Sequence, residues 1–195
     1  GLGYASAVEL ALLGCNVVLM ARNEDKLKVA VKTLDNSNGQ QHQYLVADFT
    51  DVNMVKSVIH DFIKNNKVHI LVNNTGGPAG GTALSAEAAD FLAAFNNHLI
   101  NSHNLTQAVV PGMKQAGFGR IINIISTSVK SPIEGLGVSN TIRAAVANWA
   151  KTLATELGPF GITVNNVLPG FTKTVRADYV ISSKAKAGNI TEAEV

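Results

Sequence analysis

The chain has 195 residues, 46% of them hydrophobic and 15% charged, with a formal net charge of +2 at pH 7. That length holds one domain with a sizeable core, and the apolar share excludes a disordered chain. A small charge on scattered basic residues excludes an electrostatic nucleic-acid binder, and no apolar run nears the ~18 residues of a membrane span.

The lone Cys15 excludes an internal disulfide and a thiolate metal cluster, and it suits a reducing cytoplasm. No metal is expected. The sequence opens at Gly1-Leu2-Gly3 without an initiating Met and stops within the polar run Thr191–Val195, so it reads as a piece cut at both ends.

In chain order, residues 3–13 read as a helix stopped by Gly14. Val17–Ala21 is a continuous apolar run and reads as a buried strand. Asn23 then caps a second helix whose first turn carries Glu24 and Asp25. Tyr44–Ala47 reads as a strand, residues 52–65 as an amphipathic helix, and Val68–Asn73 as a third strand. A Gly- and Pro-rich loop follows at residues 76–81.

Residues 86–115 read as one long helix, apolar on more than one face through Phe91, Leu92, Phe95, Leu99, Leu105 and Val109. Arg120–Ser126 is a fourth strand, Val138–Leu157 a helix, and Ile162–Leu168 a fifth strand closed by Pro169-Gly170. After Lys173 the pattern weakens into loop and polar helix.

Strands alternating with helices at this spacing predict an α/β fold: one doubly wound parallel sheet, Rossmann-like and three-layered, in a single domain over residues 1–195. Right-handed crossovers put every strand's C-terminal end on one edge, where ligands bind in such sheets. Arg22, Asp48, Asn74, Ser126 and Pro169 all stand just after strands. One edge of one sheet is therefore expected to carry a site.

On the ordered set Gly1-Leu2-Gly3, Asp48, Asn73-Asn74-Thr75-Gly76, Ser126 and Pro169-Gly170 with Thr174, the chain resembles the short-chain dehydrogenase/reductase family. The general pattern is similar to its 3-oxoacyl-[acyl-carrier-protein] reductase-like members. The likeness runs from Gly1 to about Thr174. In the family a first strand and the first glycine of the turn precede the position of Gly1, and a last strand follows that of Val195. Without the first strand the sheet would lack a central member and leave backbone groups unpaired, giving poor stability and weak cofactor binding.

The resemblance implies a dinucleotide site. Gly1, Leu2 and Gly3 open a helix whose N–H groups meet a pyrophosphate. Arg22 stands where relatives that prefer NAD carry an acid, and its guanidinium suits a 2′-phosphate, so NADP(H) is expected, with NAD(H) the alternative. Asp48 would accept from the adenine amino group and Phe49 pack on the ring; Asp48 also reads as the cap of the helix at Val52. Asn74 and Gly76 would pass the adenosine ribose, and Pro169, Gly170 and Thr172 would meet the nicotinamide carboxamide.

The catalytic set departs from the family. Thirteen residues after Ser126, Ser139 stands at the Tyr position, and four further on Arg143 stands at the Lys position, followed by Ala144-Ala145-Val146. Thr75 replaces an Ala, and His98 falls where an Asn is expected, with Asn97 adjacent. Arg143 would still hold the nicotinamide ribose and stabilise an oxyanion, and Ser126 would orient the substrate. Ser139 is too weak an acid to replace the phenol, so the proton would come from His98, Tyr179 or water.

The expected function is hydride transfer between NADP(H) and a small carbonyl or alcohol substrate. A non-catalytic NADP-binding sensor or scaffold is the alternative, and dehydration or epimerisation on the same scaffold a third reading. A homodimer or homotetramer is expected through the long helix and the small-residue face Ala144, Ala147 and Thr155.

Overall fold

The computed structural model describes residues 1–173, 177, 181–182, 185–186, 188 and 190–191. Thr174 and Tyr179 lie outside the described residues, as does most of the polar segment after Lys173. The first helix is α1 (Leu2–Leu12). Behind it Gly14 takes a left-handed φ of 86°, the conformation that lets the chain leave a helix without a Cβ clash. Strand β1 (Val18–Ala21) leads into α2 (Glu24–Lys32), capped as expected by Asn23, whose side chain accepts from the Lys26 N–H at 2.8 Å.

Next come β2 (Gln43–Val46), α3 (Val52–Ile63) and β3 (Ile70–Asn73). The cap of α3 is Asp51, which accepts from Asn53 and Met54 N–H groups, and not Asp48. Asp48 lies three residues farther out, and its carboxylate closes a turn with Thr50 instead.

The predicted long helix is three pieces. It runs as α4 (Ala88–Phe95), a π-helical turn (Asn96–Ile100) and α5 (Asn101–Ala116). A π turn holds one residue more than an α turn and re-aims what it carries, here the buried His98. The Ser102 hydroxyl donates to the His98 carbonyl at 2.5 Å inside this distortion. Of the apolar residues expected to be covered, Leu105 and Val109 are buried, whereas Leu92 is 65% exposed.

Strand β4 (Gly119–Ile124), helix α6 (Gly137–Leu157) and strand β5 (Ile162–Val167) complete the described fold. All strand pairs are parallel, and the α/β class is as expected. The strands are hydrogen-bonded as β1-β2 and β3-β4-β5, as expected of a doubly wound sheet that lacks a central member. A groove of about 1070 Å³ lies between these two groups of strands and is lined along β1 and β3. Strand β1 is half-buried along Val18–Met20 and exposed at Ala21, beside the place where the resemblance puts a further central strand.

The main core joins helices and sheet on one side: Val55 and Ile59 of α3, Leu105, Val109 and Met113 of α5, Ala150 and Leu157 of α6, with Ile121 and Ile162 beneath. A smaller cluster holds Ala7 and Ala11 of α1 against Val17 and Leu34. Across β3, β4 and β5 the register aligns Asn73, Asn123 and Asn166. Asn73 donates to Asn123 at 2.9 Å, Asn123 to Asn166 at 3.1 Å, and Asn166 to the Ala147 carbonyl of α6 at 3.4 Å. This polar rung ties three strands and a helix just below the strand ends.

Candidate functional site

Six of the predicted residues line two cavities near the strand ends. Gly3, Arg22, Phe49 and Asn74 line the groove between the sheets. Gly76 and His98 line a smaller cavity of about 320 Å³ beneath residues 76–82. Thr75 borders the first and bonds His98 of the second.

In the first group, α1 and the loop after β3 touch. A Cβ built on Gly3 would stand 2.6 Å from Asn74 Nδ2, so a side chain here would displace this amide from the start of α1. Gly1 is the N-cap of α1 and offers no side-chain acceptor, and Leu2 and Gly3 form the first turn. The first N–H groups of α1 therefore lack a side-chain cap, which is the chemistry that receives an anion. These residues fit a dinucleotide pyrophosphate.

Arg22 follows β1 and is exposed. Asp48 follows β2, and its carboxyl is held below the usual carboxylate range by the Thr50 backbone N–H, then the Thr50 hydroxyl, then the charge of Arg22. A carboxylate kept ionised at the end of β2 is a hydrogen-bond acceptor at all physiological pH values. Phe49 packs partly into the main core, and its carbonyl accepts from Asn101 Nδ2 at 2.7 Å, which secures the loop after β2 to α5.

The second group surrounds Thr75. Its hydroxyl is hydrogen-bonded to His98 Nδ1, and its carbonyl accepts from Arg143 at 3.4 Å. The same guanidinium donates to the Ile124 carbonyl at the end of β4, at 2.8 Å. His98 is 3% exposed. Burial, and secondarily the Arg143 charge, pushes its pKa down to about 3, so the imidazole is neutral at physiological pH.

Ser126 stands just beyond β4, and its Oγ accepts from the Ser128 N–H at 3.0 Å. An oxygen that accepts there still has its own proton to donate. The Thr127 N–H donates to the Pro169 carbonyl at 3.1 Å, which joins the ends of β4 and β5. Gly170 and Thr172 are exposed beyond it, with the Thr172 hydroxyl donating to the Gly170 carbonyl at 3.3 Å. Ser139 is half-buried in the first turn of α6, and among the described residues no hydrogen bond joins it to Ser126.

Sequence reasoning missed Thr75, which was noted only as a substitution, and the asparagine rung beneath it. The signal for the rung was present as an Asn in each of three predicted strands, but register, which makes them neighbours, is a tertiary property. Among the described residues no group of three or more His, Cys, Asp or Glu side chains is placed to hold a metal. No helix among them is long and apolar enough to cross a membrane.

Comparison with known proteins agrees with this geometry. A family model described as short chain dehydrogenase matches residues 1–185. A Streptomyces violaceoruber protein, named as ketoacyl reductase 1 of the granaticin polyketide synthase, is 34% identical over the whole chain and 72% of its own length. A human protein named inactive hydroxysteroid dehydrogenase-like protein 1 is 30% identical over 89% of the chain and 53% of its own length. Among solved structures, a single-residue variant of the actinorhodin polyketide ketoreductase with NADPH superposes with a TM-score of 0.89 at 28% identity, covering all of this chain and 75% of that one. With its parallel strands, its glycine against Asn74 and its match along residues 1–185, the chain belongs to the short chain dehydrogenase family.

Proposed function

We propose that the protein is an NADP(H)-dependent oxidoreductase that interconverts a small carbonyl compound, of the 3-oxoacyl type, and its alcohol. The observation that carries this reading is the Gly3–Asn74 approach, which brings the uncapped start of α1 against the loop after β3 in a groove that Arg22 and Phe49 also line. Gly1, Leu2 and Gly3 would hold the pyrophosphate, Arg22 the 2′-phosphate, and Asp48 the adenine amino group, with Phe49 against the ring. Asn74 and Gly76 would border the adenosine ribose, and Pro169, Gly170 and Thr172 the carboxamide. The ketoreductase neighbour with NADPH supports the choice of cofactor.

A bound nicotinamide supplies the hydride. The chain's part is to hold the carbonyl and to bring a proton to its oxygen. Ser126 keeps an O–H for that oxygen, and Arg143 places a fixed positive charge at the junction of β3, β4 and α6. A neutral imidazole, an aliphatic hydroxyl and a guanidinium are all poor acids, so the proton comes through water or from Tyr179. Residues 1–195 would act as one dinucleotide-binding domain, with the protein in the cytoplasm as a homodimer or homotetramer. The test is NADPH oxidation by the complete protein across a panel of aldehydes and 3-oxoacyl thioesters. Turnover supports the reading, and binding of NADPH without any turnover rejects it.

A second reading, a non-catalytic NADP-binding sensor or scaffold, is favoured by one observation: the Arg143 guanidinium is engaged by two backbone carbonyls. A relative named inactive points the same way. The double variant S139Y/R143K separates the two readings. Turnover only in the variant assigns the natural protein to the sensor class.

A further inference from the structure

Three of the positions where this chain departs from the resemblance, Thr75, His98 and Arg143, are bonded to one another. They come from three elements: the loop after β3, the π turn between α4 and α5, and α6. Thr75 is the centre, because its hydroxyl meets the imidazole while its carbonyl meets the guanidinium.

The direction of the first bond follows from satisfaction of the hydroxyl. Thr75 is half-buried, and among the described residues its Oγ1 has no hydrogen-bond partner besides His98 Nδ1. Were Nδ1 the donor, the hydroxyl proton would have no acceptor among the described residues, and buried Nε2 would be left as an acceptor facing the cavity. Donation by the hydroxyl satisfies both groups. It makes Nδ1 the acceptor and leaves the imidazole proton on Nε2. His98 lines the 320 Å³ cavity, so the protonated nitrogen is the one left to meet a ligand oxygen there.

We propose that Thr75 is a positioning residue: its side chain selects the Nε2–H tautomer of His98 and its carbonyl holds Arg143, so that the three replacements act as one unit. A neutral imidazole held in one tautomer is a fixed hydrogen-bond donor toward a carbonyl oxygen, and no proton leaves it. The use of that donor on substrate rests on the oxidoreductase reading. The tautomer itself does not.

The experiment is imidazole 15N spectroscopy of the complete protein labelled in histidine, without cofactor or substrate, with the His98 signals identified by their loss in H98Q. The wild type is expected to show an acceptor-type Nδ1 and a protonated Nε2 in a single form. T75V, which keeps the shape and removes the hydroxyl, is expected to lose that form to a mixture of tautomers, and T75S to restore it. A wild-type spectrum with a protonated Nδ1, or with averaged tautomers, overturns the proposal even if T75V does not fold. So does a T75V spectrum identical to the wild type. Failure of NADPH turnover would leave these signals untouched, so the two readings fall separately.

Discussion

Two sides of the groove show what burial depends on. On one side β1, with the sequence Val-Leu-Met-Ala, has no buried residue. On the other, β4 buries Gly119, Ile121, Asn123 and Ile124, although its sequence includes Arg and Asn. The difference is pairing. β4 is hydrogen-bonded along both edges, to β3 and β5, whereas β1 is paired along one edge with β2, its other edge standing where the resemblance puts a further central strand. The polar interior follows the same division. Of the eight buried polar residues among those described, Asn73, His98, Asn101, Ser102, Thr106, Asn123 and Ser128 lie on the three-stranded side, and only Gln40 lies on the other. Asn73 and Asn123 find partners across that sheet, whereas Asn73 Oδ1, Asn101 Oδ1, Thr106 Oγ1 and Ser128 Oγ are buried there without one.

The strongest way to break this comparison is by pH, at His98. Its pKa falls from an ordinary 6.5 to about 3 in the folded state. Below pH 6.5 the unfolded chain therefore takes up a proton that the folded one refuses. Stability is lost as pH falls from about 6.5 to about 3, by up to roughly 5 kcal/mol at the bottom of that window. Urea unfolding at a series of pH values should show this slope, and H98N should flatten it. An unchanged slope in H98N would mean that the imidazole is not held neutral by the three-stranded side.

Next in size is I121A in β4, where the side chain is wholly buried. It should cost about 2–5 kcal/mol, while L19A in half-buried β1 should cost clearly less in the same urea titration. Equal losses would end the contrast between the two sides. R22A acts on the two-stranded side alone. It should weaken NADPH binding by about 1.5–3 kcal/mol and leave NADH binding nearly unchanged, by fluorescence titration of both cofactors. A parallel loss for both would remove Arg22 from 2′-phosphate recognition. Smallest is N23A, which deletes the cap of α2 and should lower stability by about 1 kcal/mol without altering the three-stranded side.

Element type was legible wherever hydrophobic period and end signals agreed. Asn23 before Glu24-Asp25 read correctly as a cap, and the apolar runs of β4 and β5 read correctly as strands. The long helix misled because a π turn costs only one extra residue and leaves the apolar spacing almost intact. Asp48 misled for a local reason: Asp51, nearer to Val52, reaches the helix N–H groups first. The strand-end positions of Arg22, Asp48, Asn74 and Pro169 were legible because each closely follows an apolar run. The meeting of Thr75, His98 and Arg143 was not, since they are separated by 23 and 68 residues along the chain.

The sequence by itself determined the alternation of helices and parallel strands, and with it the family, because period, caps and strand-end residues are short-range properties of the chain. Only the tertiary structure decided that three asparagines form a rung, and that a buried imidazole is bonded by a threonine beside an arginine. Pairing, register and desolvation all depend on which distant residues become neighbours, and local pattern does not encode that choice.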